Sequence, residues 1–164
     1  MRDRIWKYLV NIKFKARYTC ECSKKADRYG RLYSFALALA SATSIATWAI
    51  WKEIPSVWAI IIAASQVLHV AKPYFPFIKN DKSFLEMSYD FESLYLELEK
   101  LWYSLENEKI TSEEAEKLFY KFRGQEFEIE KSHKGVHCPE IQKWINKITE
   151  TTHKALEINF SRGE

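Results

Sequence analysis

Residues 32–51 read LYSFALALASATSIATWAIW and residues 54–71 read IPSVWAIIIAASQVLHVA, with only Lys52 and Glu53 between them. Neither run contains Asp, Glu, Lys or Arg. The first is 20 residues long, which at about 1.5 Å per helical residue matches a hydrocarbon core of roughly 30 Å. The second, at 18 residues, is near the lower limit for a span. Two such lengths joined by two charged residues predict a tight helical hairpin that crosses a bilayer and returns.

The composition of the runs agrees with that reading. Ala36, Ala40 and Ser44 repeat at four-residue spacing, as do Ala38, Ala42 and Ala46. Small residues so spaced let helix backbones approach closely, which drives association in lipid. Trp48, Trp51 and Trp58 mark the far end of the hairpin; Tyr33, Phe35, Tyr74, Phe75 and Phe77 mark the near end, as aromatic belts do. A secretory signal is a poor fit. The first run starts thirty-two residues in and is longer than an h-region of about 7–15 residues, and Ala40-Ser41-Ala42 falls in its middle.

Charge orients the hairpin. Residues 1–31 carry ten Lys/Arg against three acids, whereas residues 80–164 carry twelve against eighteen, a split of +7 and −6 inside a total of +3. Basic residues flanking spans stay cytoplasmic, and Lys24, Lys25, Arg28, Arg31, Lys72 and Lys79 flank these, with Lys52 alone in the connector. Both termini are therefore expected in the cytoplasm of a cell whose plasma membrane holds the hairpin. Cys20, Cys22 and Cys138 would then sit in a reducing compartment, and their odd number and irregular spacing fit no disulfide framework.

Outside the runs the chain reads as helices. In residues 2–29, Ile5, Leu9, Ile12 and Ala16 follow helical spacing beside Trp6 and Val10, amid basic residues. Such a helix suits either an anionic leaflet or a cytoplasmic bundle, and Gly30 is expected to loosen its join to the first span. Pro73 and Pro76 predict a kink or break at residues 72–79, a hinge between membrane and cytosolic parts. Ser83-Phe84-Leu85-Glu86 fits a capping box. Phe84, Met87, Phe91, Leu94, Leu98, Leu101 and Leu105 then form a heptad seam, able to pack within the chain or between subunits. A second helix starts at the capping box Thr111-Ser112-Glu113-Glu114 and ends near Lys134-Gly135. A third is expected from Pro139, with Ile141, Trp144, Ile145, Ile148, Thr152, Ala155 and Leu156 as its stripe. The expected fold is all-α: a basic amphipathic helix over residues 1–31, a transmembrane hairpin over 32–78 and a cytosolic helical bundle over 79–164.

Few residues suggest chemistry. His133, His137 and Cys138, with Cys20 and Cys22, have zinc-ligating side chains, but their spacing fits a polar interhelical loop better than a metal site. With four glycines and no nucleophile elbow, phosphate loop or H-E-x-x-H, neither an enzyme nor a cofactor is expected. A cytosolic part of net −6 disfavours duplex nucleic acid as a partner. Polar residues inside the runs are more telling. Ser41, Ser44, Ser65, Gln66 and His69 are candidates to line a pore if copies associate, Gln66 and His69 sharing one helical face. Alternatively Gln66 bonds its own hairpin partner while His69 lies near the headgroups.

The basic stretch 13–31, the two spans and the aromatic-rich helix 89–102 together resemble the SLATT family, two-transmembrane effectors associated with bacterial nucleotide-signalling defence. The resemblance implies an oligomeric effector that damages the inner membrane once a nucleotide second messenger or sensing partner is engaged. A related alternative is the small two-span CRISPR ancillary protein whose cytosolic domain binds a cyclic oligoadenylate. In that alternative the ligand would be bound directly, across subunits, by basic and aromatic residues, with Arg123, Lys131, His133, Lys134, Lys143 and Lys147 as candidates. A ligand-free holin-like pore and a membrane scaffold remain the other classes.

Overall fold

The computed structural model describes residues 1–46, 60, 63–64, 66–67, 70 and 76–160. Five helices are defined among them: α1 (Arg2–Ala46), α2 (Pro76–Lys79), α3 (Asp81–Glu106), α4 (Ser112–Ser132) and α5 (Gln142–Phe160), with no strand among the described residues. The all-α class follows. Residues 47–59, with the Lys52–Glu53 connector and the three tryptophans, lie outside the described residues, as do Pro73 and most of the second uncharged run. Among the described residues no helix is long and apolar enough to cross a membrane. The chain divides into two compact units, Met1–Ser23 with Lys82–Glu164, and Lys24–Asp81.

The first unit is a four-helix bundle built on the heptad seam. Phe91, Leu94, Leu98, Leu101 and Leu105 of α3 are buried in one cluster with Ile5, Leu9, Ile12 and Ala16 of α1, Phe119 and Phe122 of α4, and Leu156 of α5. The seam therefore packs within the chain. Of the two sites open to residues 2–29, the first 23 residues occupy the bundle. Full burial of a Leu or Ile side chain stabilises by about 1.5–3 kcal/mol, so the α1 stripe is a principal source of cohesion. Trp6 stacks at a tilt on Trp102 with centroids 5.0 Å apart, and Tyr8 meets Phe119 edge-on at 5.2 Å.

The opposed charges of the two ends meet inside this unit. Lys15 Nζ lies 2.6 Å from both Glu126 Oε1 and Glu130 Oε1, and Lys13 bonds Glu92 while lying 3.9 Å from the centre of the Tyr95 ring. Arg123 Nη1 completes the set at 2.8 Å from Glu126 Oε2. Glu126 is only 5% exposed, so its charge requires these partners. Part of the +7/−6 asymmetry is thus internal complementarity.

Local signals succeed unevenly. Thr111 caps α4 as expected: its Oγ1 accepts from Glu114 N at 3.2 Å, and Glu114 Oε2 accepts from Thr111 N at 2.9 Å. The helix stops at Ser132, with Gly135 at φ +93°, a left-handed value glycine adopts without strain. The box expected at Ser83–Glu86 is a correction: α3 is already helical from Asp81, so Ser83 lies inside it. The last helix begins at Gln142 rather than Pro139, because the Pro139 carbonyl is taken by Tyr18 Oη and Ile141 N.

In the second unit Pro76 opens α2, where its missing N–H costs nothing. Gly30 does not interrupt α1, which continues helical to Ala46. A Cβ there would lie 3.3 Å from Ile78 Cγ2, so the residue accommodates a close approach of α2 rather than a break. Tyr29 and Phe77 contact beside it, centroids 6.4 Å apart. Of the large apolar residues of the uncharged runs, Leu32, Phe35, Leu39, Ile60, Val67 and Val70 are 51–68% exposed, while Tyr33 and Leu37 are half-buried.

Candidate functional site

Among the described residues, three clefts of the bundle have linings that differ in charge. The one between α3 and α4, about 460 Å³, is lined by Asp90, Glu97 and Glu128 with Ser93, Gln125 and Ser132. Carboxylates on both walls give it a field that repels anions. A second, about 340 Å³, sits between the same helices nearer the 107–111 turn, where Leu101, Ile110, Leu118 and Phe122 make it largely apolar.

The third lies between α1 and α5, about 260 Å³, and no carboxylate lines it. Lys7, Val10, Asn11 and Phe14 come from α1 at spacings of three, one and three, which is one helical face. Thr149, Thr152 and His153 face them from α5. Phe14 stacks on Tyr18 with centroids 5.6 Å apart, which fixes the plane of its ring. Arg17 Nη1 donates to the Thr151 carbonyl at 2.7 Å and ties the two helices together nearby. Thr152 is fully buried and its Oγ1 has no hydrogen-bond partner. One ammonium, an amide, an exposed hydroxyl, an imidazole and an aromatic ring suit a small anion carried on a ring. Of the lining residues only Val10 and Thr152, both read as apolar-stripe positions, stood out in the sequence, because two half-sites more than a hundred positions apart carry no joint pattern.

The six basic residues singled out from the sequence are dispersed. Arg123 is bound to Glu126 and lies over the Tyr8 ring, 5.4 Å from its centre. Lys131 bonds Glu128 on its own helix at 3.2 Å, and His133 Nε2 lies 2.9 Å from Asp90 Oδ2. Lys134, Lys143 and Lys147 are exposed. None of the six lines any of the three clefts. Of the pore candidates, Ser41 and Ser44 fall in α1 and Gln66 is helical and exposed, whereas Ser65 and His69 lie outside the described residues.

The His133–Cys138 loop does not gather a metal set: among the described residues no three His, Cys, Asp or Glu side chains are grouped to hold an ion. His133 turns to Asp90, while Cys138 neighbours Cys22, each thiol shifting the other's ionisation. That pairing had no sequence signal beyond the two residue types.

No family model, curated protein or solved structure matches this chain.

Proposed function

We propose that this chain is an oligomeric effector of a bacterial antiphage defence system, anchored in the inner membrane, that disrupts the membrane when a nucleotide second messenger or a sensing partner engages its cytosolic bundle. The observation that carries the reading is a contrast in burial. Ile5, Leu9, Ile12 and Leu98 of the bundle are fully buried, while Leu32, Phe35, Leu39, Ile60, Val67 and Val70 of the uncharged runs are more than half exposed. Exposed apolar surface of that density costs free energy in water and none in lipid.

Two further features support it. Helix α1 carries Lys7, Asn11 and Phe14 of the α1–α5 cleft and also the start of the first uncharged run, so a ligand that alters α1 packing acts on a helix shared with the hairpin. Tyr89, Leu96 and Tyr103 recur every seven residues on α3 and are 46–64% exposed, a stripe suited to contact between copies. Coupling of about 1–3 kcal/mol per site is typical, so a sharp switch needs several subunits acting together.

The test is membrane potential in bacteria expressing the chain, with and without cyclic mono- and oligonucleotides. Depolarisation only with ligand, reduced by Lys7→Ala, is the expected result. Depolarisation without ligand would make it a constitutive pore, and none under any condition would make it a scaffold; either outcome overturns the proposal. Gln66→Leu with His69→Leu should lower the conductance; an unchanged response removes both from the ion path.

A further inference from the structure

The three cysteines are not equivalent. Cys22 is fully buried on α1 and Cys138 is half-buried in the loop ahead of α5. Tyr18, one turn before Cys22 on the same face of α1, donates its hydroxyl to the Pro139 carbonyl and accepts from Ile141 N at 3.3 Å. That clasp holds residue 139 against α1, and Cys138 is its immediate neighbour. The two thiols are accordingly neighbours across 116 positions of sequence, close enough for each to shift the other's ionisation. Cys20, two residues from Cys22, points to a different side of the helix.

We propose that Cys22 and Cys138 form an oxidisable dithiol, a redox site at which hydroperoxides convert two thiols into one intrachain disulfide. Cys138 is the attacking group: it is the more accessible of the two, and the Cys22 thiol beside it holds the Cys138 thiol below the ordinary range. The proximity of Cys138, and then burial, push the Cys22 thiol up, so Cys22 keeps its proton until it is needed. The Cys138 thiolate attacks one peroxide oxygen; the O–O bond breaks, the distal oxygen leaves as alkoxide or hydroxide and is protonated, and Cys138 becomes a sulfenic acid. Cys22 sulfur then attacks the Cys138 sulfur, the S–O bond breaks, and hydroxide leaves with the Cys22 proton as water. Two electrons pass from the thiols to the peroxide, which ends as an alcohol (water, for hydrogen peroxide) and a water.

In a reducing cytoplasm such a pair rests as thiols and reports oxidant bursts. The disulfide would lock the loop ahead of α5 onto α1, and α1 and α5 are the helices that line the cleft of about 260 Å³. This inference stands independently of the membrane reading, since it concerns only the bundle.

The test uses the purified full chain in detergent, treated with hydrogen peroxide, then alkylated and mapped by mass spectrometry without reduction. The expected product has lost two hydrogens, joins the Cys22 and Cys138 peptides, leaves Cys20 alkylated, and melts at a higher temperature than the reduced chain. Cys20→Ser should form the same bond. Cys22→Ala should leave Cys138 trapped as a dimedone-reactive sulfenic acid, while Cys138→Ser should form neither product. A bond that involves Cys20, a disulfide between two copies, or wild-type Cys138 driven to sulfinic acid with Cys22 still free would each overturn the assignment.

Discussion

Alkaline pH should destabilise the bundle through two buried tyrosines. Tyr8 and Tyr95 are 7% and 2% exposed, and both hydroxyls are held far above their ordinary value of 10.0. Burial is the main cause in each; Glu126 near Tyr8 and Glu99 bonded to Tyr95 add to it. Lys15 moves in the same direction: burial alone would lower it, but its bonds to Glu126 and Glu130 raise it. A group whose pKa is raised on folding contributes stability that is complete below the unfolded pKa and is lost as pH rises toward the folded one. Above pH 10 the unfolded chain releases tyrosine protons that the folded chain keeps, so stability must fall. For a tyrosine still protonated when folded, the loss is RT ln(1 + 10^(pH − 10)), about 1.4 kcal/mol at roughly pH 11, hence about 3 kcal/mol for the pair. The assay is urea unfolding of the full chain in detergent, followed by tryptophan fluorescence at fixed ionic strength from about pH 8 to 11. Tyr8→Phe gives the discriminating comparison. It removes the bond from Tyr8 Oη to the Phe122 carbonyl, 3.1 Å, and should cost about 1 kcal/mol near neutrality. Because the variant also lacks the ionisable group, the deficit should close by roughly pH 11. A deficit that stays constant across the range would refute the reasoning.

Leu98→Ala, at a fully buried position on the seam, should destabilise by about 2–5 kcal/mol, read as a lower urea midpoint; a loss under about 1 kcal/mol would mean the seam does not carry the core. Thr111→Ala removes one half of an exposed reciprocal cap and should cost about 1 kcal/mol, with the fraying confined to the first turn of α4 in hydrogen exchange. Thr152→Val replaces a fully buried, unpartnered hydroxyl with a methyl of similar shape, so stability should rise by about 1 kcal/mol. A decrease there would show that the hydroxyl finds a water or ligand partner.

What was legible in the sequence is what repeats locally. The three-and-four spacing from Phe84 to Leu105 dictates a helix with one apolar face, and Phe84, Phe91, Leu94, Leu98, Leu101 and Leu105 are indeed buried. The Thr111–Glu114 reciprocity is contained in four residues, so it survives any tertiary context. The same kind of motif misled at Ser83–Glu86, since a capping box cannot report that the chain is already helical two residues earlier.

The sequence by itself determined that the chain is helical, where the apolar faces lie, and that two uncharged runs stand back to back, because each depends on neighbours within a few turns. Tertiary structure alone decided that the seam packs inward, that basic α1 pairs with the acids of α3 and α4, that Lys7 and Phe14 share a cleft with His153, and that Cys22 meets Cys138. Those pairings join residues about 70 to 150 positions apart, and side-chain periodicity carries no record of which face meets which; only the packed bundle selects among them.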